Sequence, residues 1–133
     1  MVILDTTFII HLLRGEESAR SKIEELEGKN IEIFTTQINI FEIIQGIYGY
    51  GKNLDMEIAS LEVFLDRIKV LDLSYFGAYH AGRISGSLIK KGVTISPSDL
   101  LIAGIAIANN ISTIVTRNIK DFSKMPDIKI ESY

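Results

Sequence analysis

Hydrophobic and polar positions follow two rhythms along this chain. Short, nearly unbroken runs of branched residues read as strands: "VIL" over 2–4, "IEIF" over 31–34, "KVLDL" over 69–73 and "TIVT" over 113–116, with a weaker fifth, "IKI", over 128–130. Between them, apolar residues recur at helical spacing, which predicts helices over 8–15, 16–28, 36–51, 55–68, 75–92 and 96–110. Gly15 suits the end of the first helix and Gly28 the C-cap of the second. In the last helix, Ser96 and Asp99 have the spacing of a capping box, with Pro97 at the first helical position.

Strands separated by helices indicate βα units, hence an α/β protein on a mainly parallel sheet of four to five strands. "VIL" and "TIVT" are apolar enough to be central strands covered on both faces. Open sheets of this kind bind ligands beyond the carboxyl ends of their strands, where the strand order reverses. Asp5 stands at the carboxyl end of the first strand, and Thr116, Asn118 and Asp121 follow the fourth.

Composition narrows the chemistry. The 133 residues suit one domain, 1–133, and 47% apolar with 23% charged residues is ordinary globular usage. There is no cysteine, which excludes disulfides, thiolate zinc sites and cysteine nucleophiles. The first apolar run lacks a basic leader, and the longest, Leu100 to Ala108, is too short to span a bilayer. The expectation is a soluble cytoplasmic protein with no membrane partner. The net charge of −3 is uneven: residues 1–73 carry 7 basic and 13 acidic side chains, residues 74–133 carry 7 and 4. Binding nucleic acid by phosphate neutralisation alone calls for a more basic chain, so such a role needs a local basic rim or bound cations.

The acids carry the candidate chemistry. Asp5 is both a good helix N-cap and a possible arm of a metal site. Glu42 lies in a helix that is apolar almost all round, on a narrow polar or small stripe with Asn39, Gly46 and Gly49. An ionised glutamate buried there needs a cationic partner, which is either a basic side chain or a metal ion. Asp99 opens a helix so apolar that it must be deeply buried, and Asp121 sits in the "TRNIKDF" loop. If the first and fourth strands are neighbours, these carboxylates converge, and they cannot all stay ionised without a cation. Oxygen-only ligands favour Mg²⁺ or Mn²⁺ over Zn²⁺ and suit phosphoryl chemistry.

The segments "ILDTTFII", "TTQINIFEIIQGI", "SDLLIAGIAIANN" and "IVTRNIKDF", in that order over nearly the whole chain, resemble those of PIN-domain ribonucleases, and specifically VapC-type toxins of prokaryotic toxin–antitoxin pairs. The resemblance implies a three-layer α/β/α sandwich. It implies that Asp5, Glu42 and Asp99 hold Mg²⁺ or Mn²⁺, as one ion or two, with Thr6 and Thr116 as supporting polar groups. The family's fourth acidic position falls at Asn118 or at Asp121, which leaves the second ion open. The implied reaction is endonucleolytic hydrolysis of RNA, tRNA or ribosomal RNA, with Glu42 or Asp121 as general base. Arg14, Lys52, Arg117 and Lys120, near the predicted site loops, are candidate RNA contacts, and each is also an ordinary solvated charge. Implied partners are a second copy of the chain and a cognate antitoxin whose tail blocks the site. "FEIIQGIYGYG" and the helix over 55–68 are candidates for its groove.

Three alternatives compete. An aspartate-nucleophile phosphatase also starts from an aspartate after its first strand, but it wants a second one two residues on, where Thr7 stands. A phosphoacceptor receiver domain needs an acidic pair ahead of its aspartate, and none is present. A catalytically inactive PIN-like protein- or RNA-binding module would retain the fold for binding alone. His11 and His80, each among apolar neighbours, read as packing or surface residues.

Overall fold

A computed structural model describes all 133 residues. The elements run β1 (Val2–Leu4), α1 (Thr6–Leu13), α2 (Glu17–Gly28), β2 (Ile33–Thr36), α3 (Gln37–Tyr50), α4 (Leu54–Leu65), β3 (Lys69–Leu71), α5 (Tyr75–Lys90), α6 (Pro97–Ala108), β4 (Thr113–Val115), α7 (Ile119–Phe122) and β5 (Lys129–Glu131). All five strands are parallel, in the order β3-β2-β1-β4-β5. The α/β expectation therefore holds, and β1 is the central strand.

Alternation along β1 divides the core in two. Ile3 faces the cluster built from α5, α6 and α7, together with Ile114 of β4. Val2 and Leu4 face the opposite cluster, with Phe8, Ile23, Ile43 and Leu61 from α1 to α4. Both faces of the sheet are thus covered, giving three layers, and all three β1 residues are buried. The α5–α6 pair is close because both helices use small residues where they meet. A Cβ added at Gly104 would lie 2.8 Å from that of Ala81, and nearer still to the Gly77 carbonyl. This seam sets the position of α6 and of the acid in its first turn.

Several boundaries differ from the sequence expectation for local reasons. β2 begins two residues later and takes in Thr35 and Thr36, because the buried Thr35 hydroxyl is satisfied by the Leu4 carbonyl at 3.0 Å. Gly28 is the last helical residue of α2, and the left-handed turn falls on Asn30, with φ 54°. Asparagine tolerates that conformation through its short polar side chain. Ser96 makes no side-chain capping bond, so the predicted box is not formed. β5 shifts by one residue, leaving Ile128 in the core, and the short α7 was not expected. No helix is long and apolar enough to cross a membrane.

Candidate functional site

The strand order reverses between β1 and β4, so the carboxyl ends of these two strands meet where a ligand site is expected. Asp5 leaves β1 there in extended conformation, its amide donating to the Val115 carbonyl at 3.1 Å. It occupies the N-cap position of α1, yet its carboxylate makes no capping bond. Instead Oδ2 accepts from the Thr116 hydroxyl at 2.6 Å and Oδ1 from the Asn39 amide at 3.2 Å. Capping is therefore not what this carboxylate does. Burial pushes the Asp5 carboxyl above its ordinary range, and bonds from Thr116, the Thr6 backbone and Asn39 pull it partly back.

Glu42 reaches the same region from α3. Its Oε1 accepts from the Thr6 hydroxyl at 2.7 Å. Burial raises its carboxyl, opposed by the Thr6 bond and reinforced by the charge of Asp5. Asp99 arrives from the first turn of α6, where its Oδ2 accepts from the Asn118 amide at 2.9 Å. Burial, then the adjacent Asp121 carboxyl and the charge of Asp5, push Asp99 up to about 7, against the Asn118 bond. Asn118 and Asp121 thus both face Asp99, one as a donor and the other as a second acid. Thr116 ties the β4 end together by accepting from the Asn118 backbone amide at 2.9 Å.

No basic side chain opposes this acidity. None of the protein's eight ion pairs involves Asp5, Glu42, Asp99 or Asp121. No three of the acids stand as a ready-made cluster of ligands; Asp5, Glu42 and Asp99 are each held by a neutral donor, and Asp121 faces Asp99. Oxygen donors, burial and mutual repulsion without an internal cation are what a hard divalent ion requires. The residues present fit such an ion.

The basic candidates divide. Arg117 is committed within the chain: its guanidinium meets Glu16 at 2.8 Å and Ser18 at 2.7 Å, and it lies 4.2 Å over the Tyr133 ring. Arg14, Lys52 and Lys120 are exposed and enter no ion pair. Sequence reasoning missed the role of Asn39, which is fully buried and touches both Asp5 and Thr6. The available signal was an amide three residues before Glu42 on the same face of an otherwise apolar helix.

Away from Asp5 and Asp99, a shallow groove between α1, α2 and α4 has Leu12, Leu13, Ile23, Val63 and Phe64 along it, with Glu24 and Glu27 as well as Arg20 and Arg67 at its sides. Phe41 and Tyr48 of α3 and Tyr75, Phe76 and Tyr79 of α5 are exposed.

The profile of the PIN domain family matches residues 2–128. Ribonuclease VapC2 of Rickettsia felis is 32% identical over 130 residues, covering 98% of this chain and 96% of the relative. The tRNA(fMet)-specific endonuclease VapC of Salmonella typhimurium is 32% identical over 133 residues, covering 98% and 96%. Among solved structures, VapBC2 from Rickettsia felis bound to a DNA fragment from its promoter superposes with a TM-score of 0.89 at 31% identity, over 100% of this chain and 99% of that one. DNA-bound VapBC from Salmonella typhimurium gives 0.82 at 30% identity, over 98% and 96%.

Proposed function

The chain belongs to the PIN-domain family, and from that premise we propose that it is a divalent-metal-dependent endoribonuclease, the toxin of a toxin–antitoxin pair. The observation that carries the reading is the gathering of Asp5, Glu42, Asp99 and Asp121 at one end of the sheet with no cation of the chain's own to oppose them. Asp5, Glu42 and Asp99 would hold Mg²⁺, for which Mn²⁺ substitutes, with Asp121 able to serve a second ion. The ion supplies Lewis acidity toward water and phosphate oxygen and offsets the charge that builds up on the phosphoryl group.

The chain's own groups do the rest. Glu42 Oε1 is held by Thr6, and Oε2 accepts no hydrogen bond within the chain. That free oxygen would take a proton from the attacking water, with Asp121 as the second candidate. The water oxygen bonds to phosphorus and the ribose oxygen departs with its electron pair, taking a proton from solvent. Arg14, Lys52 and Lys120 are free to meet RNA phosphates, whereas Arg117 would first have to leave Glu16 and Tyr133.

The substrate class we favour is tRNA, supported by the tRNA(fMet) specificity of the Salmonella relative, with ribosomal RNA as the other choice. An antitoxin segment, apolar with basic side chains, suits the groove between α1, α2 and α4, and the acidic first half of the chain favours such a partner. The exposed aromatic side chains on α3 and α5 would serve a homodimer, in the cytoplasm. As a catalytically inactive binding module, the chain would carry the desolvation cost of these acids without return.

The test is incubation of purified protein with tRNA and structured RNA in Mg²⁺, in Mn²⁺ and in EDTA, beside Asp5→Asn. Cleavage that needs the metal and is lost in the variant is the expected result. Intact RNA under every metal, with no Mn²⁺ binding by calorimetry, would leave only the binding module.

A further inference from the structure

Asn39 is the most fully engaged polar side chain of the site, and it is neither an acid nor a ligand. It is completely buried, and all four of its hydrogen-bonding valences are used. Oδ1 accepts from the Thr36 backbone amide at 3.2 Å and from the Thr36 hydroxyl at 2.7 Å. Nδ2 donates to Asp5 Oδ1 at 3.2 Å and to Thr6 Oγ1 at 3.0 Å. The orientation of the amide is therefore forced. Turned over, its NH₂ would face the Thr36 backbone N–H, and its carbonyl would face a carboxylate.

Directionality continues through Thr6. A threonine hydroxyl has a single hydrogen. Because Thr6 Oγ1 accepts from Asn39, that hydrogen points to Glu42 Oε1 at 2.7 Å. The result is a one-way chain: Thr36 donates to Asn39, Asn39 to Asp5 and Thr6, and Thr6 to Glu42. It starts in a reciprocal cap, since Thr36 Oγ1 also accepts from the Asn39 backbone amide at 3.3 Å. The start of α3 is thus wired to two acids that lie on different elements.

We infer that Asn39, anchored by Thr36, is a positioning residue that turns Asp5 and Glu42 toward one site. Asp5 is held at both oxygens, by Asn39 and by Thr116, while Glu42 is held at one and keeps the other free. Neutral donors suit this task better than a lysine or arginine. They orient the carboxylates without cancelling the charge that a divalent ion is to meet.

This inference rests on the ribonuclease reading, and the experiment separates the two. Mn²⁺ affinity by calorimetry, kcat and KM on tRNA, and hydrogen exchange of the Asn39 side-chain amide by NMR are measured for wild type, Asn39→Ala, Asn39→Leu and Thr36→Val. Outer partners of metal ligands are typically worth about 10- to 100-fold in affinity or activity. Asn39→Ala and Asn39→Leu should lose Mn²⁺ affinity and kcat in that range, with KM for RNA little changed, a split that a general loss of packing would not produce. Thr36→Val, which keeps Asn39 but removes its hydroxyl anchor, should show a smaller loss of the same kind, and it carries the test if the Asn39 variants fail to fold. A folded variant with wild-type affinity and kcat, or an unprotected Asn39 amide in an active wild type, would overturn the inference alone. A wild type with a protected Asn39 amide that neither binds Mn²⁺ nor cuts RNA would overturn the ribonuclease reading and remove the purpose assigned to the relay.

Discussion

Lys22 and Asp5 are both charged side chains with less than a tenth of their surface exposed, and the chain treats them in opposite ways. Lys22, on α2, buries its stem and brings Nζ to Glu131 at 2.5 Å and Glu25 at 3.1 Å, so its charge is answered on the spot. Asp5 receives only neutral donors, a hydroxyl, a side-chain amide and the Thr6 backbone, and the charged groups that act on it are more acid. The contrast separates two uses of a buried charge. A paired one belongs to the architecture; an unpaired one surrounded by like charges is kept for something that arrives from outside. Folding energetics alone would not assemble the second arrangement.

Three experiments bear on this contrast. The largest effect should come from Asp99→Asn, which is expected to lower RNA cleavage by more than about 100-fold, since even outer partners of a metal ligand reach that figure. In metal-free protein at pH 8, the same variant should raise Tm, because it relieves the repulsion from Asp121 and Asp5. A clear fall in Tm would place Asp99 with Lys22 and break the comparison.

The next effect concerns pH. The folded protein holds a proton on Asp99 up to about 7, well above an ordinary aspartate, and burial pushes Asp5 and Glu42 the same way. Stability from these groups is fully present at pH values below the ordinary carboxylate range and is lost as pH rises through the folded value. Glu16, held low by Ser18, and Glu25, held low by Lys29, remain ionised above pH 5 and do not alter that slope. Metal-free protein should therefore melt lower at pH 8 than at pH 5. Saturating Mn²⁺ should reverse the order, adding about 2.7 kcal/mol at a hundred times its Kd at pH 8 and less at pH 5, where protons compete. Equal Mn²⁺ shifts at the two pH values would remove the acids from the metal site.

The smallest effect should be Lys22→Met, which keeps the buried stem and removes the charge. Urea unfolding is expected to show a loss of about 1 kcal/mol, with RNA cleavage unaltered. A drop in cleavage would mean that the two regions are not independent.

The acids were legible in the sequence because each interrupts a pattern. Asp5 ends an apolar run, Glu42 sits in an apolar helix, and Asp99 opens a buried one. The pairing of β1 with β4, on which their convergence depends, could be stated only as a condition, since periodicity does not specify which strands adjoin. The relay through Thr36, Asn39 and Thr6 was not legible as a relay, because an amide and two hydroxyls are common residues whose meaning lies in who donates to whom. Boundary errors have the same origin. Asn30 replaced Gly28 as the turn residue, and Ser96 left its cap unformed while Asp99 took a bond from Asn118, nineteen positions away.

The central place of β1 has a temporal side. The Asp5–Thr116 bond joins residues 111 positions apart, and β1 is flanked by β2 and by β4, a strand from near the end of the chain. Contacts of such long range form late, after the loops between them have closed. During synthesis, Asp5, Glu42 and Asp99 all emerge before the strand that draws them together. A nascent chain therefore carries these acids without their alignment, beside the ribosome's own RNA, until β4 has emerged and paired with β1.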